Sequence, residues 1–424
     1  MKQARVWIIF TTIAFVALST SQAQNVVTEW NAIASTTIIT QGNKGADAFV
    51  YFAYTSIAVY DATNSIHRRF RPFYFAGITD RDASEEAAAI SAAHSVLIHY
   101  FPDQKAALDA QFEQSLGKIA ASLEAKHTGV EAGAAAAQSL IAARTGDGLE
   151  ADVPYVPGTA PGDWQPTLPG FLPAALPWAA QMRPFTMKSP SQFLPRGPYP
   201  LSNEQWAADY NLTRLFGERN STVRTPGQTE IGLFWTELPF QQYARAWTYL
   251  VGNYNLNVSD SARLVAILWT GLSDSLIGCL NAKYAFSFWR PVTAIQAGGG
   301  NPELPADPGW TPLGTTPNHP EYPAAHGCAT SAVSSLVADF FGTKNVHVGV
   351  DSRAFPEGVH THTFENTDDW LDEVLWARIY AGFHFHHSLQ DGVELGRRVS
   401  RQLFENNFQS TLGRHHADNG NGDN

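Results

Sequence analysis

Apolar positions along this chain recur mainly at helical intervals. Val59, Ala62 and Ile66 stand three and four apart, the spacing of one helix face. Alanine-rich stretches follow at 87–100, 104–123 and 130–144, and Phe101-Pro102-Asp103 breaks the first from the second; alanine is the strongest helix former. The period resumes after residue 202. Leu264, Leu268, Leu272 and Leu276 form one stripe behind Ser259-Asp260, a helix-start signal. This helix is predicted to carry Lys283 and to stop near Arg290, because the residue before Pro291 disfavours the helical conformation. Another is predicted to begin near Ala325, to bury Val333, Leu336, Val337 and Phe340, and to stop at Gly342. A third carries Trp370, Leu371, Val374, Leu375 and Arg378. Few segments alternate with period two, and no internal repeat is visible. The pattern predicts an all-α fold of packed helical bundles.

Between residues 151 and 200 lie 12 of the 25 prolines, too many for a helix or a central strand. Trp164, Phe171, Trp178, Phe185 and Phe193 are interleaved with them, whereas a disordered linker is poor in aromatics. The segment reads as an ordered, irregular connector packed over the body and forming one wall of a site. At the N-terminus, Lys2 and Arg5 precede an apolar run from Val6 to Leu18 and a small-residue end at Ala23, the pattern of a secretory signal. The expected organisation is a signal at 1–23, a helical region at 24–150, the connector at 151–200, a C-terminal helical domain at 201–412 that holds the active site, and a frayed polar tail at 413–424. No stretch after the signal reads as a membrane span, so the mature chain is expected to be secreted or periplasmic.

At 44% hydrophobic residues the chain has ample material for a core, and a net charge of -11 argues against a nucleic-acid partner. Against that acidic background, Lys283, Arg290 and Arg378 draw attention. Lys283 and Arg290 are seven apart, two helical turns, and are embedded among Tyr284, Phe286, Phe288 and Trp289. A charge held inside needs a partner, and a tetrahedral oxyanion supplies one by accepting several charge-assisted hydrogen bonds. His326 stands at a predicted helix start, where backbone N–H groups of Ala325, His326 and Gly327 form an anion cradle. The groups His360/His362 and His384/His386/His387 lack the carboxylate or cysteine spacing of a divalent-metal site.

These segments resemble the superfamily that joins vanadium-dependent haloperoxidases with type 2 phosphatidic acid phosphatases. Its pattern is Lys-x6-Arg-Pro, then Pro-Ser-Gly-His, then Ser-Arg-x5-His-x3-Asp. Lys283, Arg290, Pro291, Pro323, His326, Arg378 and His384 match; Ala324, Ala325, Ala377 and Ser388 depart from it. The text from about Ser259 to Gly396 is similar to the haloperoxidase-like branch. The resemblance implies a vanadate cofactor, or phosphate in a phosphatase. Lys283, Arg290, Ala325, His326 and Arg378 would hold the oxyanion, with His384 as the axial vanadium ligand and Lys283, His326 and His384 as the catalytic set. The implied partners are hydrogen peroxide, a halide and a small organic acceptor, or else a phosphate ester attacked by His384. His319, seven residues before His326, leans toward bromide, while Leu280 stands where the family often has a halide-pocket Trp. Ala324 removes a hydroxyl donor. Ser388 removes a carboxylate behind His384 and reads as a helix cap, with Asp391 as a candidate replacement. Those losses leave room for a third reading, an oxyanion-binding protein without turnover. Cys279 and Cys328 flank the site, and in an exported chain they are expected to form a disulfide; two buried thiols are the alternative.

Overall fold

A computed structural model describes residues 25–411, so the expected signal at 1–23 and the tail at 413–424 lie outside the described residues. The chain is mostly helical. Five helices come first: α1 (Val26–Ser35), α2 (Ala48–His67), α3 (Glu85–Tyr100), α4 (Lys105–Lys118) and α5 (Leu123–Arg144). The alanine-rich pattern of α3 and α5 has a packing consequence. A Cβ on Gly129 would stand 2.4 Å from the Ser84 carbonyl oxygen, and one on Gly133 would stand 2.5 Å from that of Ala88. Small residues therefore let the two backbones nearly touch.

The connector is irregular, as expected, and it is anchored by buried polar groups. Asp274, on a later helix, accepts hydrogen bonds from the backbone N–H groups of Phe185, Thr186 and Met187 and from the Thr186 hydroxyl. Arg144 pairs with Asp147 at 2.6 Å and donates to the carbonyls of Arg183 and Pro184. Trp164 is fully buried.

The second half holds α6 (Glu204–Phe216), α7 (Pro226–Phe234), α8 (Pro239–Asn253), α9 (Val258–Phe286), α10 (Pro291–Gln296), α11 (Ala325–Phe341), α12 (Thr367–Tyr380) and α13 (His386–Asn406). Helix α9 is capped by Asn257, whose side chain accepts from the Asp260 N–H, two residues earlier than the Ser259-Asp260 signal. Nearly all of its faces are buried, against α2, α11 and α13. Contrary to the sequence reading, α9 is long and apolar enough to cross a membrane by length and composition; 94% of the qualifying window is buried inside the protein, as befits a central core helix. One continuous core joins residues of α1–α3 with those of α8, α9, α11 and α13.

One element departs from the all-helical expectation. Strands β1 (Val348–Phe355) and β2 (Gly358–Phe364) form an antiparallel hairpin. In β2 the sheltered positions are His360, His362 and Phe364, between exposed Val359 and Thr361. The period of two is present in burial but hidden in hydropathy, because two inward residues are histidines.

Candidate functional site

Lys283 sits in the last turn of α9, which ends at Phe286 when Ser287 turns left-handed at φ 47°. Lys283 and Arg290 therefore do not share a continuous helix; Arg290 is the N-cap of α10. The two cations still converge, by gripping one loop. Lys283 Nζ donates to the carbonyls of Pro320 and Glu321, both at 2.8 Å. Arg290 Nε donates to the His319 carbonyl at 2.8 Å, and its Nη2 lies 3.0 Å from His319 Nδ1. Arg378, near the end of α12, donates through Nη1 to the Trp235 carbonyl at 2.7 Å, and its Nε has no hydrogen-bond partner. All three cations are buried.

His384 lies between α12 and α13, and it is where the structure adds most. Its Nδ1 is 2.7 Å from Glu321 Oε1, with both side chains buried. Its Nε2 lies 3.3 Å from Arg290 Nη1. A proton on Nδ1, donated to the carboxylate, leaves the Nε2 lone pair directed at the cations. Glu321 is thus the carboxylate behind the histidine, and the sequence reading missed it. The available signal was that Glu321 is the sole acidic residue between Thr316 and His326.

Two expectations are corrected here. Ser388 is not the cap of α13; Phe385 occupies that position, and Ser388 is buried in the first turn beside Glu321. The helix start is held instead by carboxylates, since Glu321 accepts from the Phe385 N–H and Asp209 from the His387 N–H, favourably placed against the helix dipole. Asp391 accepts from the Tyr322 hydroxyl and lies 3.2 Å from His387 Nε2, so it does not replace the missing family carboxylate at His384.

Ala324 is the N-cap of α11, with no side-chain capping bond. The amides of Ala325, His326 and Gly327 are then the first-turn donors that an α-helix cannot satisfy internally. His326 Nε2 is buried without a partner. Ala325, His319, His326, Arg378 and His384 all line one cavity of about 530 Å³. Leu280 also lines it, at the position of the missing Trp.

Electrostatics follow from burial. It pulls Lys283 down to about 8 and depresses Arg290 and Arg378 to about 10 and about 9; all three stay charged at neutral pH. Burial, reinforced by the neighbouring cations, holds His319, His326 and His384 well below the ordinary histidine range. Burial also pushes Glu321 up to about 7, against the pull of Lys283 and Arg290. Three cations thus stand near a single carboxylate, beside an unpartnered donor on Arg378 and an unpartnered ring nitrogen on His326. That imbalance fits an oxyanion.

The expected Cys279–Cys328 disulfide is not formed here. Both are free, buried thiols, with Cys279 Sγ 3.6 Å from the Pro323 carbonyl oxygen. His360 and His362 lie in the hairpin, paired with Glu230 and Glu373, and are not brought to His384; among the described residues no group of three histidine, cysteine or acidic side chains could hold a metal ion.

The family model of the VCPO second helical-bundle domain matches residues 263–412. A vanadium chloroperoxidase from Curvularia inaequalis is 31% identical over 148 residues, 29% of this chain and 24% of the relative, so the aligned part spans about a quarter of that protein. Among solved structures, a bacterial vanadium-dependent iodoperoxidase superposes with a TM-score of 0.76 at 20% identity, covering 92% of this chain and 97% of that one. A bacterial vanadium-dependent chloroperoxidase superposes with a TM-score of 0.67 at 18% identity, covering 84% and 90%. The structural likenesses establish the fold, and the match of residues 263–412 to the VCPO second helical-bundle domain falls in the region that carries the buried cations and histidines.

Proposed function

We propose that this protein is an exported, vanadate-dependent haloperoxidase, oxidising a halide with hydrogen peroxide: halide, peroxide and a proton give hypohalous acid and water. The observation that carries the reading is the burial of Lys283, Arg290 and Arg378 near a histidine whose Nε2 lies 3.3 Å from Arg290 Nη1. Bound vanadate would supply the Lewis acidity that activates peroxide toward a halide.

In this reading the three cations neutralise the oxyanion, together with the first amides of α11. Glu321 holds the Nδ1 proton of His384 and so keeps Nε2 available as the ligand atom. His326, neutral and unpartnered at Nε2, takes the peroxide proton and returns it to the leaving water. Lys283, held by two carbonyls, would add positive charge to the oxyanion pocket. His319 stands against Arg290 at the halide side, with bromide the favoured halide. Export rests on the charged-then-apolar pattern of residues 1–23.

A second reading, a phosphatase with His384 as nucleophile and His326 as acid and base, draws on the same free Nε2. The deciding experiment uses metal-stripped protein with and without added orthovanadate, and follows bromination of a dimedone dye beside hydrolysis of a phosphate ester. Bromination that appears only with vanadate, and disappears in His384→Ala, is the expected result. Ester hydrolysis that vanadate inhibits would establish the phosphatase instead. Silence in both assays, with vanadate still bound, would leave a binding protein.

A further inference from the structure

The cavity above the oxyanion residues is larger and more apolar than peroxide and a halide need. At about 530 Å³ it falls in the range of sites for whole organic ligands, roughly 300–1,000 Å³. Its walls include five aromatic side chains, Phe49, Trp235, Phe240, Tyr243 and Phe383, with Leu176, Leu233, Leu276 and Leu280 between them. Charge is scarce. Apart from Arg378, the one lining residue charged at neutral pH is Glu237, and its carboxylate is already engaged by Arg245 Nη2 at 2.7 Å and the Arg353 N–H at 2.8 Å.

The apolar character continues outward along the connector. Leu176 enters the wall, and the preceding stretch is tied to the loop carrying His319: the Ala175 N–H donates to the Asn318 carbonyl at 2.8 Å, and Asn318 Nδ2 donates to the Pro173 carbonyl at 2.7 Å. Just before it, Leu168, Phe171 and Leu172 are each more than half exposed.

Resting on the haloperoxidase reading, we propose that this cavity binds a small, uncharged aromatic acceptor, and that the oxidised halogen is transferred to it inside the protein. Aromatic walls favour a flat π-system, and away from Arg378 the wall is mostly apolar, which disfavours an ionic solute there. In the transfer, the acceptor C–H bond breaks and a C–halogen bond forms. Hypohalous acid gives up its halogen, and its hydroxide combines with the released proton as water.

The test is calorimetric titration of the protein with 2-naphthol, in parallel with titration by orthovanadate. Saturable one-to-one naphthol binding is expected. It should weaken at least tenfold in Leu233→Trp, which fills the cavity, and in Leu176→Asp, which charges its wall. Leu123→Asp, on an exposed residue of α5, is the control and should bind as wild type does. Absence of saturable binding, or equal binding by the wall variants, would overturn the proposal. Vanadate titration separates the two readings. A chain that binds naphthol but not vanadate fails the oxyanion reading while keeping the cavity, whereas one that binds only vanadate fails the present inference. With vanadate, peroxide and bromide supplied, the isomer ratio of bromonaphthols should differ from that given by reagent hypobromite. An identical ratio would overturn transfer within the cavity.

Discussion

At Glu321 a carboxylate meets His384 Nδ1 at 2.7 Å in full burial, and two predictions follow from its charge. Glu321→Gln keeps an acceptor but removes the charge, and outer-shell partners of this kind are worth about 10–100-fold in affinity or activity. We expect vanadate affinity to fall by that factor, with partial recovery in Glu321→Asp. Because burial pushes Glu321 up to about 7, the wild-type advantage over Glu321→Gln should shrink as pH falls through 7; a purely structural role would leave the ratio constant. Stability moves the other way. A carboxyl with a raised folded pKa contributes fully below its unfolded value near 4.5, and that contribution is lost as pH rises to about 7. Relative to Glu321→Gln, the wild type should therefore lose ~3 kcal/mol between these pH values, readable by urea denaturation. This carboxylate was hard to find in the sequence because it reaches His384 across 63 residues, through a loop that Lys283 and Arg290 hold by its carbonyls.

At the scale of elements, α11 and α13 approach closely because glycines face the contact. A Cβ on Gly396 would lie 2.1 Å from Ser331 Oγ and 2.2 Å from the Cys328 carbonyl oxygen, and one on Gly392 would lie 2.8 Å from that of Ala324. Gly396→Ala should destabilise the protein by about 1–3 kcal/mol through overpacking, measured by chemical denaturation, and should shift the α11 amides relative to His384. The helices themselves were legible. The predicted start near Ala325 and stop at Gly342 match α11, whose C-cap is left-handed at φ 70°, because caps and apolar period are local signals. The hairpin was not legible, since His360 and His362 gain their partners Glu230 and Glu373 from elsewhere in the chain.

For the whole molecule, the buried imbalance of cations over carboxylates ties stability to ligand. An oxyanion that binds the folded state alone adds ~2.7 kcal/mol at a hundredfold excess over its Kd. Orthophosphate or orthovanadate should therefore raise the midpoint of thermal unfolding, while chloride at equal ionic strength should not. Arg378→Gln should lose most of that increase, because it removes one of the three charges; scanning calorimetry on both proteins reads the difference. An increase unchanged in the variant would place the bound anion elsewhere.

The sequence by itself determined the helical class and the position of most helices, because period and caps are local properties of the chain; that its cations and histidines gather was implied only by the family resemblance. The sequence also pointed to the connector as ordered, from its aromatics. Only the tertiary structure decided that Lys283 and Arg290 meet across a helix break, that Glu321 rather than Ser388 or Asp391 stands behind His384, that Cys279 and Cys328 rest as thiols, and that an aromatic cavity adjoins the site. Those outcomes depend on which distant backbones touch and which polar groups share one low-dielectric interior, and no local stretch of the sequence encodes either.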